Sequence, residues 1–174
     1  MSRKKPWPPT RLGLIEKQLD QLAQAVANGN ERDVDDQIWL TRFLVIRASG
    51  YLEQVVHETV VGHLQETSYG RARSFVMSWL ERSRNPSIDN LMKLVGRLDA
   101  NLQQELGEFL EADGKKLHRE ISLLVGRRNQ IAHGENEGMG SKGALELVTA
   151  AKEVAAWFIL RLDPHQPSGR SSKP

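Results

Sequence analysis

The chain has 174 residues, with 24 Lys and Arg against 22 Asp and Glu, few aromatics and no cysteine. That length suits one domain with a real core and is too short for two independent ones. The lack of cysteine excludes disulfides, thiolate metal sites and cysteine nucleophiles, and no stretch approaches the ~18 consecutive apolar residues of a membrane span.

Residues 1–10 are Pro-rich and basic, and residues 163–174 are rich in Pro, Ser and Gly. Neither buries enough apolar surface to offset the entropy of ordering, so both are expected as flexible arms around one helical domain over 11–162. Trp7, within the first arm, is expected to be disordered with it. The arms also hold Arg3, Lys4, Lys5, Arg170 and Lys173, so the slightly basic balance says little by itself about nucleic acid. A soluble, cytoplasmic protein is the expectation.

Between the arms, apolar residues recur with helical spacing over about 11–28, 33–67, 69–84, 87–98, 100–112, 115–133 and 141–162. The reading is an all-α bundle without strands. Asn28-Gly29-Asn30 stops the first segment, and Asn85-Pro86-Ser87 forbids helix before the proline while offering Ser87 as an N-cap. Gly134 stands where a left-handed residue would close the sixth segment, and Ser141 is placed to cap the last. The second segment is far longer than an average helix, is expected to kink at Ser49-Gly50, and has the length of a dimer-forming helix.

The chemistry concentrates in Arg127-Arg128-Asn129-Gln130-Ile131-Ala132-His133. At about 100° per residue, Leu117, Ile121, Leu124, Val125, Ile131 and Ala132 form one apolar stripe with Arg128 near its middle. His118, Ser122, Asn129 and His133 share one flank, with Asn129 and His133 four residues apart and adjacent on the surface. Arg127 falls on the other flank, toward solvent. Cations in a last helical turn are also what an ordinary C-terminus carries, favoured by roughly 0.3–1 kcal/mol. An inward arginine, however, needs an anionic partner. Glu53, at the edge of the long helix's stripe of Ile38, Val45, Ile46, Ser49, Leu52, Val56 and Val60, is the candidate, within one subunit or across a dimer, although Arg42 shares that face.

The run from Arg128 to His133 resembles the R-x4-6-H signature of the HEPN superfamily, in the form where a polar residue follows the arginine. Three blocks in order, "IRASGYLEQVV", "NPSIDNLMKLVGRLD" and "RRNQIAHGEN", resemble its RiboL-PSP-HEPN group over roughly 38–162. The resemblance implies a four- or five-helix bundle with additional helices, dimerised so that two motifs face one another across a cleft. It implies metal-independent, cofactor-free RNA cleavage through 2′-hydroxyl attack, leaving a 2′,3′-cyclic phosphate. Arg128 and His133 would then be the catalytic pair, supported by Asn129, Glu53 and Arg127. A toxin or phage-defence role, with an antitoxin or regulatory protein as partner, goes with that implication. The alternatives are a non-catalytic HEPN module binding RNA, nucleotide or protein, and a helical adaptor in which Arg128 is only an ion-pair member.

Arg128 and His133 lie about 140° apart on an ideal helix, so one chain's pair does not converge by itself. A symmetric second copy would supply the missing half. Glu53 with His57 makes an i,i+4 pair lacking a third ligand, so no metal site is expected there. Trp79, Trp157 and Phe158 read as core or dimer contacts rather than base-stacking platforms, while Arg71, Arg73, Arg82 and Arg84 read as a solvated face or an RNA track.

Overall fold

The computed structural model describes residues 6–29, 33–80, 86–135 and 138–166. These form six helices: α1 (Thr10–Ala27), α2 (Val34–Thr67), α3 (Gly70–Leu80), α4 (Ile88–Leu98), α5 (Ala100–Ala132) and α6 (Ser141–Arg161). No strand occurs among the described residues. The all-helical expectation therefore holds, and most boundaries follow local chemistry. Asp33 caps α2 by accepting from Asp35 N–H at 2.9 Å, with Asp35 and Asp36 adding negative charge at the dipole's positive end. Asp99 caps α5 through Asn101 and Leu102, and Ser87 caps α4 through Asn90 as expected.

α5 is two helical arms joined at a kink. Asp113, Gly114 and Lys115 all take positive φ (49°, 66° and 64°), which breaks the rod where the periodicity divides it into two segments. α2 does the opposite. It continues without a break through Ser49 and Gly50, where a kink was expected, because Ala48, Ser49, Tyr51 and Leu52 are all buried and neighbours pack around that turn.

α2 is the spine of the bundle. Leu44, Val45, Ala48, Leu52, Val55 and Val60 are fully enclosed, as are Val154, Ala155 and Phe158 of α6 and Ile121 and Leu124 of α5. Each buried Leu, Val or Phe stabilises by about 1.5–3 kcal/mol. Trp157 and Phe158 meet edge to face at 5.2 Å and Trp157 stacks with Phe109 at 6.2 Å, so both belong to the core, as expected. Trp79 lies outside the described side chains.

Two polar clasps fix the helices relative to one another. Gln37 Nε2 donates to Val26 O and Ser141 Oγ, each at 2.8 Å, tying the end of α1 and the start of α6 to the first turns of α2. Ser141 therefore serves as a tether, and Gly140 occupies the N-cap position expected for it. Further along, Lys152 of α6 holds Asp20 at 2.9 Å and Glu16 at 3.1 Å on α1. Burial pulls the Lys152 ammonium down, but the hydrogen bonds and charges of Asp20 and Glu16 outweigh it and leave its pKa raised. Burial, reinforced by the same two carboxylates, also pushes the Tyr51 phenol well above its ordinary 10.0.

Both groups hold their protons more tightly folded than unfolded, so the stability they confer is complete below the unfolded values of 10.0 and 10.5. It is lost as pH rises through the folded values. Thermal midpoints are accordingly expected to fall above about pH 10, with Tyr51→Phe flattening the fall. An identical slope in the variant would show that the phenol does not contribute.

Trp7 departs from expectation. Its indole N–H donates to Ile159 O at 2.9 Å, and its ring edge lies over Gly62, where a Cβ would sit 2.9 Å from Cζ3. One aromatic side chain with a notch to enter holds Pro6–Pro9 against α2 and α6, which a reading of prolines and charge does not reveal.

Candidate functional site

The second arm of α5 ends in a hydrogen-bonded C-terminal closure. Glu135 N–H reaches Gln130 O at 3.0 Å and Gly134 N–H reaches Ile131 O at 3.1 Å, with Gly134 at φ 78°. This is the glycine closure anticipated from sequence. His133 is the C-cap, with φ −89° and ψ 4° in the bridge region where the helix ends. The His133 imidazole is exposed and four residues from half-buried Asn129.

The two arginines exchange the environments expected of them. Arg128 is exposed, whereas Arg127 is half-buried with its Nε shielded from solvent. The azimuth assigned to Arg128 is sound, since Ile121, Leu124 and Val125 on the same stripe are buried. What changes is the cover. Ala132, on that same azimuth, is exposed too, whereas Ile131 packs against the core and Arg127 is half-buried, so over the last turn of α5 the cover lies on the Arg127–Ile131 side and leaves Arg128 and Ala132 open.

Arg128 Nη1 donates to Asn129 Oδ1 at 3.2 Å. Within this chain Arg128 turns to its sequence neighbour rather than to Glu53, which is half-buried on α2. Together Arg128, Asn129 and His133 give an exposed guanidinium, an amide with free donor capacity and an imidazole. Such a set can bind a phosphate and exchange a proton.

The remaining candidates have structural employment. His63 Nδ1 lies 3.0 Å from Leu162 O, and His57 is exposed on α2. No three His, Asp or Glu side chains cluster as metal ligands among the described residues. Arg73 donates to Ser68 O at 2.6 Å and to Gln65 O at 2.6 Å, satisfying carbonyls at the end of α2, and sits 5.6 Å from the Tyr69 ring. Of the proposed track only Arg71 is described as exposed, and Arg82 and Arg84 lie outside the described residues.

The long second helix, whose length suits a dimer face, carries an apolar surface near its start. Val34, Ile38, Trp39, Phe43 and Ile46 are exposed on the first half of α2, with Trp39 at 65% and Phe43 at 50%. Arg42 lies over the Trp39 ring at 5.1 Å. Ile38 and Ile46 were assigned to the buried stripe with Val45 and Leu52, but here the neighbouring helices do not cover them. The Gln37–Ser141 clasp puts these turns at the end of the bundle where α5 finishes and α6 begins. An apolar patch of this kind is a recognised mark of an interaction surface. The signal was present as apolar residues at 34, 38, 39, 43 and 46, too many for one buried stripe.

An all-helical bundle with an arginine and a histidine separated by four residues at the end of a helix agrees with the resemblance to HEPN domains. The RiboL-PSP-HEPN family model matches residues 10–158, and the chain belongs to that family. Neither the comparison with curated proteins nor that with solved structures returned a match. No helix among the described residues is long and apolar enough to cross a membrane.

Proposed function

We propose that this chain is a metal-independent endoribonuclease acting as a homodimer, with Arg128 and His133 as its catalytic pair. The observation that carries the reading is the exposure of the last turns of α5 around Arg128 and His133. Arg128 and Ala132 occupy an inward azimuth yet are exposed, and a second copy would cover them. The apolar stripe of α2 at the same end offers the surface for that copy.

In the proposed reaction a ribose 2′-oxygen attacks the adjacent phosphorus while the bond to the 5′-oxygen breaks. The 2′-hydroxyl loses its proton and the departing 5′-oxygen gains one. His133 carries one of these transfers and solvent the other. Arg128 neutralises charge on the phosphorane-like transition state, and Asn129, by accepting from Arg128, orients it. The products are a 2′,3′-cyclic phosphate and a 5′-hydroxyl end. Because such an activity is hazardous to its host, a toxin or phage-defence role with a covering antitoxin fits it.

The test is incubation of the purified protein with mixed RNA in EDTA, followed by end-group analysis. Fragments ending in 2′,3′-cyclic phosphate are expected. Intact RNA across varied substrates, with RNA still bound, would instead select the non-catalytic binding module.

A further inference from the structure

A cavity of about 290 Å³ lies between the Pro6–Thr10 segment, the second half of α2 and the start of the chain's last segment. It is close to the lower bound, about 300 Å³, of small-molecule sites. Pro6, Trp7, Pro9, Val61 and Pro164 supply apolar wall, and Glu58, Glu66 and His165 supply polar groups. It is remote from Arg128 and His133. Glu58 stands 17 residues along α2 from Thr41, which hydrogen-bonds near the start of α6, and at 1.5 Å per residue this is roughly 25 Å.

The wall is built rather than incidental. The Trp7 indole is fixed by its bond to Ile159 O and by the Gly62 notch, so the ring cannot fold in to fill the space. Glu58, Gly62 and Glu66 succeed one another at i, i+4 and i+8 on one face, which sets the backbone positions of the two glutamates about 12 Å apart along the axis with the notch midway. Among the described residues no Lys or Arg lines the cavity. Arg11 reaches Glu58 only at 3.8 Å from a 70% exposed position, and among the described residues Glu66 has no cationic partner.

We infer that this cavity binds a linear aliphatic polyamine, with one ammonium at Glu58, another at Glu66 and the methylene chain along Trp7 and Val61. A carboxylate at each end with an apolar middle matches a cation charged at both ends. An anion would meet two like charges, and a neutral apolar ligand would leave both carboxylates desolvated. The indole adds cation–π attraction for an ammonium passing its face.

The probe is spermidine, titrated calorimetrically into the full chain, with thermal midpoints read on the same samples. Saturable one-to-one binding is expected, with a raised midpoint. Glu58→Gln with Glu66→Gln should weaken it at least tenfold, and butylamine, which satisfies one end only, should bind at least tenfold more weakly than spermidine. Glu153→Gln, an exposed glutamate on α6, should leave affinity unchanged. Absence of saturable binding to the wild-type chain would overturn the inference. So would equal affinity in the double variant with an unchanged ligand-free midpoint, or an equal loss in Glu153→Gln, which would mark unspecific attraction to negative charge.

Discussion

His133→Ala is expected to lower RNA cleavage by about 10²–10⁴-fold, the range lost when a positioned proton-transfer group is removed. The folded state should be indifferent to the change. The imidazole is exposed, and the closure around it is made by the main chain of Gln130, Ile131, Gly134 and Glu135. Arg128→Ala should cost about 10²–10³-fold through lost transition-state charge stabilisation, again with an unchanged melting temperature. Arg127→Ala is expected to differ in kind. Its half-buried guanidinium lies against the bundle, and losing it should destabilise the fold by about 1–3 kcal/mol, seen as a lowered thermal midpoint. Measuring rate and midpoint on all three variants separates site from scaffold. Full activity in His133→Ala, or unfolding by Arg128→Ala, would defeat the assignment.

That contrast also marks what can be read from sequence. Helix identity and most breaks follow from local chemistry: Ser87 before an apolar run, Gly134 after one, and Asp113-Gly114 inside what would otherwise be a single long helix. Azimuth is legible too, since the periodicity places Arg128 on the stripe of Ile121 and Leu124. The extent of cover is not. Periodicity states which way a side chain points, whereas exposure depends on whether another helix reaches that level, and this is a property of tertiary lengths and crossings. Arg128, Ala132, Ile38 and Ile46 all differ from expectation for this reason. The Glu53–Arg128 pairing was built on the assumption that Arg128 was covered. Trp7 errs in the opposite direction, because segment-averaged composition does not weigh one large side chain that finds a notch at Gly62.

The largest effect expected of the proposed dimer is a rescue. If each site takes Arg128 from one chain and His133 from the other, mixing inactive Arg128→Ala and His133→Ala proteins should restore cleavage. In a mixed dimer one site lacks both groups and the other has both. With random exchange half the dimers are mixed and each has one of two sites, so recovery should reach about one quarter of wild-type activity. Recovery should depend on the α2 surface. Trp39→Asp with Phe43→Asp puts charge into an apolar contact, and in either partner it should yield monomers by sedimentation and prevent rescue. Both positions are exposed in the isolated chain, so the substitution should not disturb its core. Exchange must be verified by mass spectrometry of tagged subunits. If mixed dimers form and stay inactive, Arg128 and His133 act within one chain despite their separation of about 140°. The substrate would then have to bend around the end of α5 to meet both groups, so cleavage would be confined to flexible single-stranded RNA.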